Sequence, residues 1–369
     1  MRATRAIIHL DAFRRNIRLV RSRIGPDRQL CVPVKADGYG HGAIPLAKAA
    51  LEEGAAFLAV ATVEEGAELR RAGIGAAILL LSVPILEEIP ELIGHRLVPL
   101  VGDPDFAQAL AAESRGEPVT VHLKVDTGMG RVGCRPESAA ELAALILGLP
   151  GLRLGGVATH LAVSDSLAPE DMGYTKEQLG RFADSVAAIR AAGIDPGLIH
   201  AANTGALAFH EDAFLDMVRP GILLYGYAPA GAEAILPVKP VMELASGVVF
   251  VKRVRKGESV SYGRTWIADR DTFIATIPVG YGDGLPRRLS GQGFRVRING
   301  AWYPLAGRIC MDQCMVDLGP ETTVRRWDSV TLFGGDALSA ADLAEKLDTI
   351  SYEITCGINK RVPRVYVDS

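Results

Sequence analysis

Cysteine is scarce in this sequence, and the cysteines present have no spacing that gives them a joint function. The five lie at Cys31, Cys134, Cys310, Cys314 and Cys356. An odd number without a CxxC pair fits neither a disulfide framework nor a zinc site. Cys310 and Cys314 flank an aspartate, but no nearby histidine completes a set of metal ligands. We therefore predict reduced thiols and no bound metal.

The chain also lacks a basic excess and a long apolar run. Lysine and arginine number 40 against 43 aspartates and glutamates, for a net charge of -3, so nucleic acid is not an expected partner. The longest apolar run, residues 74–86, is interrupted by Pro84 and is too short to span a bilayer. The first residues have no apolar core of the signal-peptide kind. We expect a cytoplasmic enzyme without a membrane partner.

No GxGxxG sequence follows the first buried strand, which disfavours the alternative of a doubly wound open sheet. Short apolar runs instead alternate with stretches of helical spacing about eight times, the rhythm of a (β/α)8 barrel. The predicted strands cover residues 30–34, 57–61, 77–81, 97–101, 119–125, 154–159, 198–202, and 217–218 with 221–224. The fold class predicted is α/β, with an N-terminal TIM-type barrel over residues 1–236.

A second domain is expected because 369 residues exceed one ordinary core. The stretch 229–240 is rich in Pro, Ala and Gly and has the composition of a linker. Beyond it, β-branched runs dominate, and Asn299-Gly300 between two such runs predicts a hairpin. One helix is predicted over 339–347, capped by Ser339. We predict a mainly β C-terminal domain over residues 237–369.

Polar residues stand where the barrel strands end, and in this fold the active site lies at the carboxyl ends of the strands. These residues are Lys35, Lys124, His160, Asn203, Thr204 and Arg219. A lysine that ends a buried strand before a glycine-rich loop is placed to act as nucleophile or base. Alone, Lys35 fits equally well a lysine that extends its amine from the barrel rim into water. Several such residues at one end favour a site.

The loops after the seventh and eighth strands commonly hold a phosphate in barrels. Here they contain Asn203-Thr204-Gly205 and, after Arg219, Gly221-Ile222. A hydroxyl together with backbone N–H groups at a glycine turn suits an anion. A lysine able to form a Schiff base, opposite a phosphate cradle, suggests pyridoxal phosphate as the cofactor.

Nine segments of the chain, in family order and covering both predicted domains, resemble alanine racemase. They are VKADGYGHG, KVDTGMGRVG, THLAVSD, HAANTGA, VRPGILLYG, SYGRTW, PVGYGDG, GRICMDQCMVD and SYEI. The resemblance implies a homodimer that binds pyridoxal phosphate and shares its active sites between subunits. It implies that Lys35 carries the cofactor. It also implies that Tyr262 reaches the site of the other subunit and acts as the second catalytic base.

The resemblance also implies roles for the remaining motif residues. The cofactor would be held by Tyr39, His160, Thr204, Arg219, Gly221, Ile222 and Tyr352, beside Asn203. The substrate carboxylate would be held by Arg131 and the backbone N–H of Met311. Supporting positions would be Lys124, often carbamylated in the family, with Cys310, Asp312 and Tyr281. Of these, Tyr281 would line the access channel together with Arg287 and Arg308. Thr204 stands where serine is usual and keeps the hydroxyl.

Arg219 indicates the type of reaction. Arginine stays protonated, so it can donate a hydrogen bond to the pyridine nitrogen without protonating it. The ring is then a weaker electron sink, which suppresses transamination. An aspartate or glutamate at this position would favour an aminotransferase or decarboxylase instead.

The predicted function is interconversion of L- and D-alanine by two bases, Lys35 and Tyr262, to supply D-alanine for peptidoglycan. A broad-specificity or serine racemase on the same scaffold is the alternative. A barrel-type decarboxylase is disfavoured by Arg219 and by the SYGRTW tyrosine. A non-catalytic pyridoxal-phosphate carrier is disfavoured by the second domain, because such carriers are barrels alone. One departure, Pro33 inside the first barrel strand, is unexpected because proline has no N–H for the sheet.

Overall fold

Contacts sort the chain into two units in the computed structural model, which describes residues 2–116 and 118–368. The barrel unit comprises Arg14–Gly38 and Ala43–Val238. The β unit comprises the chain up to Phe13, Tyr39–Gly42, and Lys239 onward. The split at 238/239 lies close to the predicted boundary at 236/237. The first thirteen residues, predicted with the barrel, group with the β unit because their strand pairs there.

The barrel unit is built on eight parallel strands, which confirms the predicted fold. Numbered through the whole chain, they are β2 (Gln29–Pro33), β3 (Phe57–Val60), β4 (Ala77–Leu80), β5 (Val98–Val101), β6 (Val119–Lys124), β7 (Leu152–Ala158), β8 (Leu198–His200) and β9 (Met217–Val218). Their order in the sheet is β8-β7-β6-β5-β4-β3-β2-β9. Buried side chains fill the interior, among them Cys31, Ala59, Leu79, Leu100, Ala158 and Met217.

Backbone hydrogen bonds also join the two end strands of this sheet. The N–H of Asp216 donates to the carbonyl of Ile199, and that of Arg219 donates to the carbonyl of Ala202. The barrel is therefore nearly closed. The predicted strand segment 221–224 is wrong, because Ile222–Tyr225 forms a 3₁₀ turn after Gly221.

The structure also accounts for Pro33. Neighbouring residues of a strand point their N–H groups to opposite sides, and the N–H of Val34 donates to Ala59 of β3. Position 33 therefore faces the β9 side, where pairing has already ended at Val218. The missing N–H of Pro33 costs the sheet no hydrogen bond.

Helices connect the strands. They are α1 (Leu10–Ile24), α2 (Lys35–Tyr39), α3 (Ala43–Glu52), α4 (Val63–Arg71), α5 (Ile89–Gly94), α6 (Pro104–Glu113), α7 (Ala139–Gly148), α8 (Pro169–Ala191) and α9 (Thr204–Phe209). Their apolar faces are buried, as at Leu46, Leu69, Phe106 and Phe182. Of these segments, α2 is a single turn of unusual hand and is described with the site.

The β unit contains three sheets and two helices. Its strands are β1 (Arg5–His9), β10 (Met242–Gly247), β11 (Phe250–Val254), β12 (Ser259–Val260), β13 (Trp266–Ile267), β14 (Thr272–Ile277), β15 (Arg295–Ile298), β16 (Ala301–Pro304), β17 (Cys314–Gly319), β18 (Ser329–Phe333) and β19 (Arg364–Val367). The sheet orders are β16-β15-β18-β10-β1-β19, β11-β14-β17 and β12-β13. The helices are α10 (Ala340–Leu347) and α11 (Ser351–Cys356).

Two local predictions for the β unit are confirmed. Asn299 and Gly300 both have positive φ, 50° and 83°, and join β15 to β16 as a hairpin in which Ile298 pairs with Ala301. Ser339 caps α10 by accepting a hydrogen bond from the N–H of Asp342 at 3.1 Å.

Candidate active site

The chain turns in an unusual way at the end of β2, at Lys35. The four residues after it, Ala36, Asp37, Gly38 and Tyr39, all have φ between 52° and 61°. The left-handed conformation costs roughly 1–2 kcal/mol per residue other than glycine. Such strain persists only where the surroundings impose it, and it concentrates at functional sites.

Two carboxylates hold this turn. Glu65 accepts hydrogen bonds from the N–H of Ala36 at 2.6 Å and from the N–H of Ala61 at 2.7 Å, so it links the loops after β2 and β3. Asp37 accepts from the N–H of Ala43 at 3.0 Å, at the start of α3. The backbone that carries Lys35 is therefore fixed by the barrel unit itself.

Arg219 is buried just beyond β9, and its hydrogen bonds within the described residues go to uncharged acceptors. One terminal nitrogen, Nη1, lies 2.5 Å from Nδ1 of His200. The other, Nη2, donates to the carbonyls of Thr159 at 2.8 Å and Ala201 at 3.2 Å. Burial lowers the pKa of Arg219 to about 10. Arg219 therefore remains a cation at neutral pH, with no carboxylate among these acceptors.

His200 is itself bonded to a second buried histidine, His122 of β6, through a 2.8 Å contact between Nε2 of His200 and Nδ1 of His122. Burial, and then the charge of Arg219, lowers the pKa of His122 to about 4 and the pKa of His200 well below its ordinary value. Both rings are neutral near pH 7. Neither histidine was among the predicted site residues.

Lys124 ends β6 and is also buried. Its Nζ donates to the carbonyl of Val125 at 3.0 Å. Burial and then the nearby charge of Arg219 lower the pKa of Lys124 to about 7. A substantial fraction of this amine is therefore neutral, and hence nucleophilic, at physiological pH.

The loop after Lys124 brings Arg131 to the same end of the barrel. Asp126 stabilises this loop by accepting from the N–H groups of Gly128 and Gly130, both at 3.0 Å. The loop closes where the N–H of Asp126 donates to the carbonyl of Cys134 at 2.9 Å. Arg131 itself is exposed, and its charge contributes to lowering the pKa of Lys124.

The loops after β8 and β9 meet at Thr204. Its hydroxyl oxygen accepts a hydrogen bond from the N–H of Gly221 at 2.9 Å, which leaves the hydroxyl hydrogen to be donated elsewhere. Asn203 caps α9 by accepting from the N–H of Ala206 at 3.0 Å. Ile222 begins a 3₁₀ turn, whose first N–H groups have no partner inside the turn. The result is a cluster of uncharged donors.

His160 follows β7 and comes directly after Thr159, whose carbonyl accepts a hydrogen bond from Arg219. The carbonyl of His160 accepts from the side-chain amide of Gln178 at 3.2 Å, which ties it to α8. Burial, followed by the charges of Arg219 and Lys124, lowers the pKa of His160 to about 3. The imidazole is therefore neutral.

In the β unit, Tyr262 lies on a turn between β12 and β13 and is 68% exposed. The preceding Ser261 has φ 68°. Its hydroxyl donates to the carbonyl of Arg308 at 2.6 Å and lies 3.5 Å from the sulfur of Cys310. The tyrosine turn is thereby tied to the loop that carries Met311.

A second turn, with Tyr281, packs on the same loop. The N–H of Tyr281 donates to the carbonyl of Cys310 at 3.0 Å, and the N–H of Gly282 donates to the carbonyl of Met311 at 2.9 Å. The turns are so close that a Cβ at Gly280 would lie 2.2 Å from the carbonyl oxygen of Cys310. Only glycine fits there, which explains the first glycine of GYGDG.

A buried carboxylate, also missed by the prediction, locks these turns. Asp283 accepts from Arg2 at 2.6 Å, from Arg361 at 2.7 Å and from the N–H of Gly280 at 3.0 Å. Arg361 also donates to the carboxylate of Asp312 at 2.8 Å. Arg361 therefore connects the Tyr281 turn to the residue that follows Met311.

The β unit also holds Tyr39, Tyr352 and Arg287. The rings of Tyr39 and Tyr352 are 5.6 Å apart between centroids. The turn that begins at Arg287 is tied in through Ser290, which accepts from the N–H of Ile309 at 3.0 Å.

The predicted residues therefore form two groups, each within one unit. The barrel unit holds Lys35, Lys124, Arg131, His160, Asn203, Thr204, Arg219, Gly221 and Ile222. The β unit holds Tyr39, Tyr262, Tyr281, Arg287, Arg308, Cys310, Met311, Asp312 and Tyr352. The prediction missed Glu65, His122, His200, Asp283 and Arg361. For the two histidines, their place inside apolar strands was a usable signal.

Comparisons with known families match nearly the whole chain. Residues 8–229 match the family model for the N-terminal domain of alanine racemase, and residues 241–366 match the model for its C-terminal domain. Among individual proteins, the chain is 50% identical to the alanine racemase of Treponema denticola, over 100% of this chain and 99% of that protein. It is 45% identical to the alanine racemase of Treponema pallidum, over 100% of both.

Solved structures give the same result. An alanine racemase of Clostridium difficile superposes with a TM-score of 0.95 at 36% identity, covering 100% of this chain and 97% of that one. An alanine racemase of Bacillus anthracis with bound L-Ala-P superposes with a TM-score of 0.93 at 34% identity, covering 100% and 96%. In the part of the chain that the structure describes, no helix is long and apolar enough to cross a membrane.

Proposed function

The chain belongs to the alanine racemase family and is an isomerase, and we propose that it interconverts L- and D-alanine with pyridoxal phosphate as cofactor. The observation that carries this proposal is the environment of Arg219. A buried guanidinium held by an imidazole and two carbonyls offers a hydrogen bond to a ring nitrogen without a carboxylate to protonate it. A ring nitrogen that stays unprotonated makes the cofactor a weaker electron sink, which favours racemisation over transamination.

The residues of the barrel unit fit this cofactor. Thr204 has a free hydroxyl hydrogen beside the backbone of Gly221 and Ile222, which suits the oxygens of a phosphate. Lys35 stands on a strained turn that other residues of the unit hold in place. The neutral His160 lies close to Arg219 and Lys124. We propose that Tyr39, Asn203 and Tyr352 complete the cofactor's surroundings.

Pyridoxal phosphate, when bound, makes the hydrogen on an amino acid's α-carbon acidic by withdrawing electrons from that carbon. The chain's own task is then to move a proton. We propose that Lys35 accepts or returns it at Nζ on one face of the carbon, and Tyr262 at its phenolic oxygen on the other. Arg131 and the N–H of Met311 would bind the substrate carboxylate. A carbamylated Lys124 would neutralise and orient Arg131, and its neutral amine is the form that reacts with CO₂.

We propose that two copies of the chain share their active sites. The barrel, predicted over residues 1–236, supplies Lys35 to a site, and the β domain of the partner, predicted over residues 237–369, supplies Tyr262 to the same site. The high exposure of Tyr262 supports this, since a base in a racemase site needs protection from water. The product D-alanine would serve peptidoglycan synthesis. A small substrate is supported by the Bacillus anthracis relative, whose structure holds L-Ala-P.

The test is a racemase assay on purified protein over a panel of amino acids, with and without added pyridoxal phosphate. We expect alanine to be the best substrate. Borohydride should fix the cofactor on the peptide that contains Lys35, and Lys35→Ala should lose racemisation by on the order of 10⁴-fold or more. Lys48→Ala, a lysine on α3, is the matched control and should behave as wild type. Label on Lys124, or equal rates on larger amino acids, would contradict the proposal.

A further inference from the structure

The strand β7 leaves a gap between its neighbours β6 and β8. Val121 of β6 pairs with Leu154, but the next residue, His122, pairs with Gly156, so Gly155 is an extra residue in β7. Such a bulge re-aims the side chains around it. A Cβ at Gly156 would lie 2.8 Å from Nδ1 and Cε1 of His122. Because Gly155 and Gly156 have no side chains, they leave room for the imidazole of His122.

Because of this gap, the imidazole of His122 reaches across β7 to β8. Its ring centroid lies 5.0 Å from that of His200, edge on, with the 2.8 Å hydrogen bond between them. Both histidines are buried. Glycine weakens a strand and often marks a place where another group approaches closely. Here that group is the imidazole of His122, which bonds to His200.

The direction of each hydrogen bond follows from chemistry alone. Arginine can only donate, so Nδ1 of His200 must accept from Arg219 and carry no proton. The proton of His200 is then on Nε2, which donates to Nδ1 of His122. His122 in turn must be neutral, with its own proton on Nε2. One donor, Arg219, thereby fixes both tautomers.

From this geometry we infer that His122 is a positioning residue, which holds His200 so that His200 fixes the direction of the Arg219 guanidinium. Without an acceptor at position 122, the buried N–H of His200 would be left unsatisfied. The ring of His200 would then turn to find another acceptor, and Arg219 would lose its hydrogen bond to Nδ1 of His200. The inference rests on the proposed function only for its effect on catalysis. The tautomers are a property of the chain itself.

The first arm of the test needs no activity. Histidine-selective ¹⁵N labelling and NMR on the cofactor-free chain, at pH 6 to 8, should show two neutral rings protonated at Nε2. His122→Gln offers an amide oxygen as acceptor and should keep the His200 signals. His122→Leu offers none and should change them. A proton on Nδ1 of His200 in the wild type, or no change in His122→Leu, would overturn the inference whether or not the chain is a racemase.

The second arm measures reaction type. With cofactor bound, His122→Leu should racemise alanine roughly 10- to 100-fold more slowly, the scale of a misplaced active-site group. The ratio of side transamination to racemisation should rise, and a general loss of folded protein would leave that ratio unchanged. His122→Gln should recover the wild-type ratio. His210→Leu, which removes another buried histidine whose Nε2 has no partner, is the matched control. A wild-type ratio in His122→Leu would overturn the inference while leaving the proposed function intact.

Discussion

The two units present their predicted site residues in opposite ways. In the barrel unit, Arg219, Lys124 and Thr204 are buried, and hydrogen bonds within the unit fix each of them. In the β unit, Tyr262, Met311 and Tyr281 are 68%, 53% and 42% exposed.

The two units therefore fix different parts of their site residues. The barrel unit fixes side chains, so their pKa values are already shifted by burial. The β unit fixes backbone turns, through Asp283, Arg361 and Ser261, and leaves the side chains at the surface. If two copies share their sites as proposed, the barrel unit would contribute side chains already fixed within its own chain, and the β unit would contribute exposed side chains to the partner.

The largest effect should come from breaking each half on a separate chain. Lys35→Ala and Tyr262→Phe should each be nearly inactive, because each removes one base from every site. Mixed in equal amounts and allowed to exchange, they should regain about one quarter of wild-type activity. Half of the dimers are then mixed, and each mixed dimer has one intact site.

The control for this mixture is Lys35→Ala combined with a chain that carries both substitutions. No site in that mixture has both bases, so no activity should return. If the first mixture also stays inactive although mass spectrometry shows mixed dimers, then Lys35 and Tyr262 act within one chain. The proposed sharing of sites between two copies would then be wrong.

A smaller effect should separate the two bases. By resemblance to the family, Lys35 would take the α-hydrogen from D-alanine and Tyr262 would take it from L-alanine. Tyr262→Phe should slow racemisation by about 10²- to 10⁴-fold, the loss typical of a general acid or base. In deuterated water it should still exchange deuterium into D-alanine far faster than into L-alanine.

Tyr303→Phe, which removes a hydroxyl from β16, is the matched control and should exchange both enantiomers at the wild-type rate. Equal exchange from both enantiomers in Tyr262→Phe would mean that one base, or water, reaches both faces. The two-base mechanism would then be wrong even in an active racemase.

Much of the fold could be predicted from local patterns, because the barrel depends on them. Most apolar runs of the barrel correctly predicted a strand, and the strand ends placed Lys35, Lys124 and Arg219 in one unit. Predictions failed where a strand's course depends on distant partners. β10 and β11 follow one another in the chain, yet they pair in different sheets. β1 and β19 pair although they lie at opposite ends of the sequence.

The residues missed at the site share one property: they act through another residue. Asp283 and Arg361 are 78 positions apart, and only the fold brings them together. His122 reaches His200 because a one-residue bulge at Gly155 shifts the register, and no sequence pattern reports that shift. Sequence motifs indicate residues that face a ligand. The residues that orient them depend on register and long-range pairing.

The smallest expected effect is a loss of stability at acid pH. It tests whether the two units, which differ in the burial of their site residues, also differ in how their stability depends on pH. Buried histidines with lowered pKa values, His122 and His200, lie in the barrel unit. The folded pKa of His122 is about 4 against an ordinary 6.5, so between these values the unfolded chain holds more protons. The free energy of unfolding therefore falls as pH falls from 6.5 to 4, by about 1.4 kcal/mol per pH unit for each such histidine.

The β unit should lose stability only at lower pH, because its buried titrating group is a carboxylate in an ion pair and not a neutral histidine. Arg2 and Arg361 beside Asp283 hold the pKa of that carboxyl below 3.8, so its contribution to stability is kept down to that pH and lost only below it. All three tryptophans, Trp266, Trp302 and Trp327, are in the β unit, so fluorescence follows that unit. Most helices are in the barrel unit, so far-UV circular dichroism follows chiefly the barrel.

Urea unfolding at pH 7 and pH 5 should therefore move the circular dichroism midpoint further than the fluorescence midpoint. In His122→Gln, which removes one titrating group, the shift between the two pH values should shrink by up to one proton's contribution. Equal shifts by both probes would show that the two units unfold together. A larger shift in fluorescence would show that the acid-sensitive groups lie in the β unit, against the burial that distinguishes the two.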